Sequence, residues 1–242
     1  MATDPLRAQL PFTLREADFP ALGQLYRGKV RDNYAKGDRI VMITTDRLSA
    51  FDRVLTTVPF KGELLNRLTV FWFEKTKDVA PNHILDVPDP SVLVVRRLQP
   101  LAVEMVVRGY LTGSLWRDSQ AGRGARSYGI ELPDGMKKDE KFATPILTPS
   151  TKEAVGKHDE PISPKELVAR GTLTQKQWDE MARMALALFA RGQEWARMRG
   201  LCRARRLCSC MVAATPESVI ATRPMGGRVG QTTWWNAAGR RS

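Results

Sequence analysis

The spacing of apolar positions divides the chain into a strand-rich first half and a helical second half. After a loose arm over residues 1–24, Leu25 and Tyr26 predict a short strand that meets Gly28. Beyond it Lys29 and Arg31 alternate with Val30, so a second strand would carry two cations on one face. Arg39 to Thr45 is a further strand, entered through the turn Lys36-Gly37-Asp38. From Glu63 the period lengthens to three and four. Leu64, Leu65, Leu68, Phe71 and Trp72 predict a helix behind Gly62, with the aromatics in the core. Val92 to Arg97 reads as a strand joined through Leu98, Gln99 and Pro100 to the apolar run Val103–Val107. Two strands so connected belong either to one antiparallel sheet or to a linker between lobes.

Residues 116–163 are rich in Gly, Pro, Lys and Asp and poor in apolar residues, which predicts a long functional or mobile loop. Ser163, Pro164 and Glu166 form a capping box ahead of a short helix. Thr174 and Gln177 start a longer one, whose stripe of Trp178, Met181, Ala185, Leu188 and Trp195 is core. Gly200 is its stop. Beyond it the texture changes, with neither a sustained helical stripe nor paired strand signals.

Composition adds little until it is resolved along the chain. At 242 residues, 43% hydrophobic and 26% charged, the sequence is that of an ordinary globular protein. No run approaches membrane-spanning length and the first residues do not form a secretory signal, so a cytoplasmic location is expected. Half of the net charge of +12 lies in residues 201–242, which hold seven arginines against one acid, Glu217. Cys202, Cys208 and Cys210 fall in the same segment. Three thiols without a nearby fourth ligand make a poor zinc signature, and no metal-ligating residue is assigned.

The chemistry collects at four places. Gly28 with Lys29 and Arg31 offers a close backbone approach flanked by cations, suited to nucleotide phosphates or, equally, to a solvated basic hairpin. In the segment Thr45–Asp52, the acids Asp46 and Asp52 and the hydroxyl of Ser49 could hold a polar ligand or simply form turns. The apolar run from Val103 ends in Arg108 and is followed by Thr112, Gly113 and Ser114. A planar guanidinium fork beside a glycine and a hydroxyl suits a phosphate monoester, and an ordinary turn fits as well. Thr148 to Lys152, followed by His158 and Asp159, would line a polar site or a solvated lid.

Taken in order, Gly28–Asp32, Thr45–Asp52, Val103–Ser114, Thr148–Lys152 and His158-Asp159 resemble the SAICAR synthetase (phosphoribosylaminoimidazole-succinocarboxamide synthase) family over roughly residues 20–200. The resemblance implies an α+β, two-lobed fold. A small N-terminal antiparallel sheet lobe (1–100) would contribute to ATP binding, and a larger lobe (101–200) would hold the substrate. It implies a ligase of purine biosynthesis that uses ATP and Mg2+ to join L-aspartate to carboxyaminoimidazole ribonucleotide through an acyl phosphate. By the same resemblance Gly28, Lys29 and Arg31 belong to the ATP phosphates and Lys152 meets the phosphoryl group in transfer. Arg108 and Ser114 hold the ribonucleotide phosphate, Asp159 faces the aminoimidazole, and Asp46, Ser49 and Asp52 are candidates for the sugar or aspartate.

The departure from the family is as specific as the match. After Gly200 the family's strand of the form Leu-Val-Asp-x-Lys-x-Glu-Phe-Gly, its Asp-Glu pair and its Ser-Arg element are not found. Glu217 is the one carboxylate side chain left for a magnesium ion. A change of reading frame near residue 200 accounts for the simultaneous loss of lysine, acids and motifs. It predicts a fold incomplete at its C-terminus, an aberrant or disordered Arg-rich tail over 201–242, and little or no turnover. The alternatives are nucleic-acid binding through that tail, with Trp234 and Trp235 stacking on bases, or a nucleotide-binding remnant without catalysis.

Overall fold

The computed structural model describes residues 4–50, 53–122, 125–152, 159–199 and 213–214. In chain order these form α1 (Pro5–Gln9), β1 (Gln24–Arg27), β2 (Arg31–Lys36), β3 (Arg39–Thr44), β4 (Arg47–Ala50), β5 (Arg53–Thr57) and α2 (Lys61–Lys75). There follow β6 (Ile84–Asp89), β7 (Val92–Arg96), β8 (Val103–Tyr110), α3 (Gly113–Gln120), β9 (Lys141–Leu147), β10 (Ser150–Thr151), α4 (Pro164–Ala169), α5 (Gln175–Met198) and β11 (Ala213–Ala214). The fold is α+β with antiparallel sheets.

The first sheet runs β1-β2-β3-β7-β6. Alternation along its strands gives it two apolar faces. Tyr34 and Ile43 pack with Ala17 and Leu22 on one side. Met42, Leu93 and Val95 pack with Val70 of α2 on the other. The arm expected to be loose is stitched down. The Tyr34 hydroxyl donates to the Ala17 carbonyl at 2.8 Å, and the Phe19 N–H donates back to it at 3.0 Å. The second strand begins at Arg31, so Lys29 and Val30 lie in the turn before it and do not alternate on a strand face. The segment Thr45–Asp52, read as non-periodic, contributes β4 to a hairpin with β5.

The helix from Glu63 exists, but its leucines are not core. Leu64 is 59% exposed and Leu65 and Leu68 are also exposed, while Gly62 and Asn66 are buried. The cause is a close approach of backbones: a Cβ on Gly62 would sit 2.4 Å from the Thr44 carbonyl oxygen. The glycine therefore selects the face of α2 that meets β3. Asn66 reinforces it by donating to the Pro90 carbonyl at 2.8 Å. Farther along the helix Phe71 and Trp72 do find a partner, each packing edge to face on Trp195 of α5 with ring centroids 5.4 Å apart.

Of the two readings of the Leu98–Pro100 connection, the linker between lobes is the one realised, because β7 ends the first lobe's sheet and β8 starts another. β8 lies between β10 and β11, and β9 also pairs with it. Its burial alternates strictly. Val103, Met105 and Val107 form a core with Leu167 of α4 and Trp178, Met181 and Phe189 of α5, and Glu104, Val106, Arg108 and Tyr110 share the opposite face.

Residues 116–163 are not one long loop. Leu115, Ala125, Tyr128 and Phe142 build a second small core with Leu111, joined by Trp116, Ile130, Leu132, Met136 and Ile146. These apolar residues are spread singly among Gly, Pro and Lys, so neither period is visible in the sequence. Of the tail, Ala213 and Ala214 pair with Val106 and Met105 of β8, a strand that the sequence did not signal. The rest of the tail lies outside the described residues. Among the described residues no helix is long and apolar enough to cross a membrane.

Candidate active site

The outward face of β8 carries charge at both ends. Glu104 and Arg108 are four residues apart on the same face, a separation of about 13 Å at the rise of a strand. Between them lies the apolar side chain of Val106.

At the far end Arg108 is held by neutral groups. Its Nε–H donates to Thr148 Oγ1 at 2.9 Å, Nη2 donates to Ser114 Oγ at 2.9 Å, and Nη1 reaches the Thr112 carbonyl at 3.5 Å. Thr112 caps α3 and Ser114 is in its first turn. Gly113, at φ +63°, makes the sharp step from strand to helix that folds Ser114 back over the arginine. Among the described residues no carboxylate pairs with this guanidinium. Burial lowers the Arg108 pKa from its ordinary value, and the nearby Tyr128 and Asp118 oppose that shift. Burial likewise raises the Tyr128 phenol, so it remains a hydroxyl beside the cation. A partly buried cation surrounded by hydroxyls and a carbonyl has donors to offer an anion.

At the near end Lys152 Nζ lies 3.0 Å from Glu104 Oε1. The Thr151 N–H donates to the Glu160 carbonyl at 2.9 Å and the Glu160 N–H donates to Thr151 Oγ1 at 3.1 Å. Lys152 and Asp159 are the chain neighbours of this bonded pair. His158 lies outside the described residues.

In the first lobe, Gly28 opens a tight turn, its N–H donating to the Arg31 carbonyl at 2.7 Å. Arg47 supports that turn from below. It donates to the carbonyls of Gly28 (2.9 Å), Lys29 (3.1 Å) and Arg15 (2.7 Å), and to Asp32 Oδ1 at 2.8 Å. Burial of Asp32 by itself would raise its pKa. The hydrogen bonds from Arg47 and the Ala17 N–H, with the charges of Arg47 and Arg27, bring it below the ordinary carboxylate value.

The three candidates in the neighbouring segment separate. Asp46 is buried, accepting from the Leu14 N–H at 2.8 Å through one oxygen and from the Gly62 N–H at 2.9 Å through the other. It ties the arm to the first turn of α2, where a carboxylate is favoured by the unsatisfied helix N–H groups. Ser49 lies on β4 at a register shift in the hairpin. Asp52 lies outside the described residues.

Sequence reasoning missed Arg47, Glu104 and Tyr128 as parts of the site, and Thr148 entered it only as one hydroxyl of a polar segment. Arg47 and Glu104 lie inside the family motifs, and a buried charge leaves no mark in periodicity. Tyr128 sat in the stretch read as loop. Among the described residues no three His, Cys, Asp or Glu side chains come together, and a magnesium ion at a nucleotide site needs only one or two carboxylates beside the phosphates it bridges.

Comparison with known proteins identifies the family. The sequence model of SAICAR synthetase matches residues 24–203. The phosphoribosylaminoimidazole-succinocarboxamide synthase of Legionella pneumophila (strain Lens) is 48% identical over 197 residues, covering 79% of this chain and 62% of the relative. The chain thus spans somewhat less than two thirds of that relative's length. The structure superposes on SAICAR synthase from Saccharomyces cerevisiae complexed with SAICAR, at 28% identity and a TM-score of 0.66, covering 77% of this chain and 67% of that one. A type-2 SAICAR synthetase in complex with ADP shares the fold at 22% identity and a TM-score of 0.59, covering 73% and 70%. With four motifs in order, the two-lobed fold and these matches, the chain belongs to the SAICAR synthetase family.

Proposed function

We propose that the chain carries the ATP and ribonucleotide sites of an aspartate ligase acting on carboxyaminoimidazole ribonucleotide. The observation that carries this reading is Arg108, a cation held by Thr148 and Ser114 without a carboxylate partner among the described residues. The ribonucleotide's 5′-phosphate supplies the missing charge. With the phosphate there, the base extends along the face of β8 over Val106 and its carboxylate reaches the Lys152 end. Support comes from the yeast relative, whose solved complex contains SAICAR, and from the type-2 relative, solved with ADP.

The chemistry then follows from the groups at each end. The substrate carboxylate attacks the γ-phosphorus of ATP and releases ADP, giving an acyl phosphate. The aspartate amine attacks that carbonyl, phosphate leaves with the C–O electron pair, and the amine loses a proton. Gly28, Lys29 and Arg31 hold the ATP phosphates, and Lys152 leaves Glu104 to meet the phosphoryl group. That exchange is easy because a pair this exposed is worth at most about 1 kcal/mol. Asp159 faces the aminoimidazole, and Ser49 and Asp52 are assigned to the sugar or aspartate. Asp46, with both oxygens engaged, acts through the fold. Positioning and charge stabilisation are what such a transfer asks of a protein.

Magnesium completes such a site by neutralising phosphate charge. Because the family's C-terminal strand, Asp-Glu pair and Ser-Arg element are not found after Gly200, we assign this chain binding of both nucleotides with depressed turnover, in a cytoplasmic setting. The test is calorimetric titration of the full chain with carboxyaminoimidazole ribonucleotide, beside an assay for product with ATP, Mg2+ and aspartate. Binding that Arg108→Ala weakens on the order of 100-fold is expected, given two lost charge-assisted hydrogen bonds. Binding indifferent to Arg108→Ala overturns the site, and turnover at an ordinary enzymatic rate of about 10 s⁻¹ overturns the depressed activity.

A further inference from the structure

Arg108 reaches its anion only if its guanidinium plane is fixed, and the fixing group is on the neighbouring segment. Thr148 is 1% exposed. Its backbone N–H donates to the Val106 carbonyl at 2.8 Å, and its hydroxyl approaches the same carbonyl at 3.3 Å. The hydroxyl proton is thereby committed to the strand, and the oxygen lone pairs point to Arg108 Nε at 2.9 Å. With Nε–H engaged by Thr148 and one Nη2–H by Ser114, the side edge of the fork is occupied. The end edge, made by the two Nη atoms, keeps donors for a bidentate anion, since the Nη1 contact to the Thr112 carbonyl is long at 3.5 Å.

We propose that Thr148 is a positioning residue for the phosphate grip, turning the Arg108 fork so that its two terminal nitrogens face the ribonucleotide phosphate. The proposal rests on the reading of Arg108 as a phosphate site. A threonine suits the role better than an amide or a carboxylate. It accepts from Nε and is itself oriented by the strand, yet brings no charge of its own to the arginine. A carboxylate there would pair with the guanidinium and compete with the phosphate. Tyr128, in the small core with Leu111 and Leu115, keeps a hydroxyl near the cation.

The test uses the full chain and two probes, 5-aminoimidazole-4-carboxamide ribonucleotide and its riboside without phosphate, titrated into wild type, Thr148→Val, Thr148→Ser and Arg108→Met. Thr148→Val keeps the β-branched shape and removes the hydroxyl, with its acceptor for Nε and its long donor contact to Val106, whose carbonyl keeps the Thr148 N–H. We expect it to reduce the preference for the nucleotide over the riboside roughly tenfold, the cost of one unsatisfied buried donor, with Thr148→Ser restoring the preference. An unchanged preference in Thr148→Val, or equal loss for both probes, overturns the positioning role. If Arg108→Met also leaves the preference unchanged, the phosphate reading itself fails. If only Thr148→Val is silent, the positioning role alone fails. Should Thr148→Val not fold, the wild-type Arg108 Nε–H decides by NMR. Slow hydrogen exchange without ligand supports a fixed fork, and exchange at the rate of free arginine overturns it.

Discussion

Single residues here do work that their positions in the sequence do not announce. Asp32 is fully buried and carries a charge because Arg47, the Ala17 N–H and Arg27 surround it. Its folded carboxyl titrates below the ordinary value, so it contributes stability that is complete above the unfolded pKa of about 3.9 and is lost as pH falls through the folded value. Urea midpoints measured from pH 7 down to pH 3 are expected to fall over that acid range, and Asp32→Asn should flatten the dependence. Arg47→Met leaves the buried carboxylate with only the Ala17 N–H and the longer contact to Arg27, for an expected loss of about 3 kcal/mol at pH 7 in the same urea experiment. The same substitution frees the carbonyls of Gly28 and Lys29, so ADP affinity should drop along with stability.

At the scale of elements, α2 is placed by a glycine and an acid from elsewhere in the chain. Asp46 accepts from the Gly62 N–H, and the absence of a side chain at Gly62 lets the helix touch the end of β3. In an exposed helix Gly→Ala favours the helix by roughly 0.5–1 kcal/mol. Here the new Cβ would lie 2.4 Å from the Thr44 oxygen and 2.9 Å from the Thr45 carbonyl carbon. Gly62→Ala is therefore expected to destabilise by about 2 kcal/mol, read as a lowered thermal midpoint, with α2 displaced from the sheet. Elements with a clean signal were legible in the sequence: β3, β8 as a strand ending in Arg108, the capping boxes of α4 and α5, and the stripe of α5. The β4–β5 hairpin, β6 and the core around Leu115 and Phe142 were not, because their apolar residues are few and their partners distant in sequence. The helix α2 was legible, but the face it turns to the sheet was not, since a helical period says which residues share a face and not which face is covered. Arg108, Ser114 and Lys152 could be singled out from the sequence. Their holders, Thr148 and Glu104, became visible only when the register of β8 against β9 and β10 was known.

On the scale of the whole molecule, the lobes are joined by the Leu98–Pro100 connection and by a clamp between α2 and α5. Arg191 donates to Asp78 through two nitrogens, at 3.2 and 2.7 Å, and to the Lys75 carbonyl at 2.9 Å. Trp195 packs on Phe71 and Trp72 beside it. The polar pair is exposed and gives direction rather than strength. The aromatic cluster supplies most of the adhesion, so Trp195→Ala should cost about 2 kcal/mol, more than Arg191→Ala. Small-angle scattering and limited proteolysis near Leu98 are expected to report a looser pairing of the lobes in the tryptophan variant. Unchanged profiles would assign the lobes' relative placement to the connection alone.

β8 is also a gauge. Its two charged ends stand four residues apart on a backbone that neither stretches nor compresses, and inward residues locked against α5 hold it in place. Inserting one residue between Glu104 and Arg108 would turn one of them toward the core. Inserting two would keep both outward but lengthen the interval by about 6.6 Å. A ligand that touches both ends is measured against this fixed interval. One methylene added between its phosphate and its ring should loosen one end or the other, whichever grip is weaker.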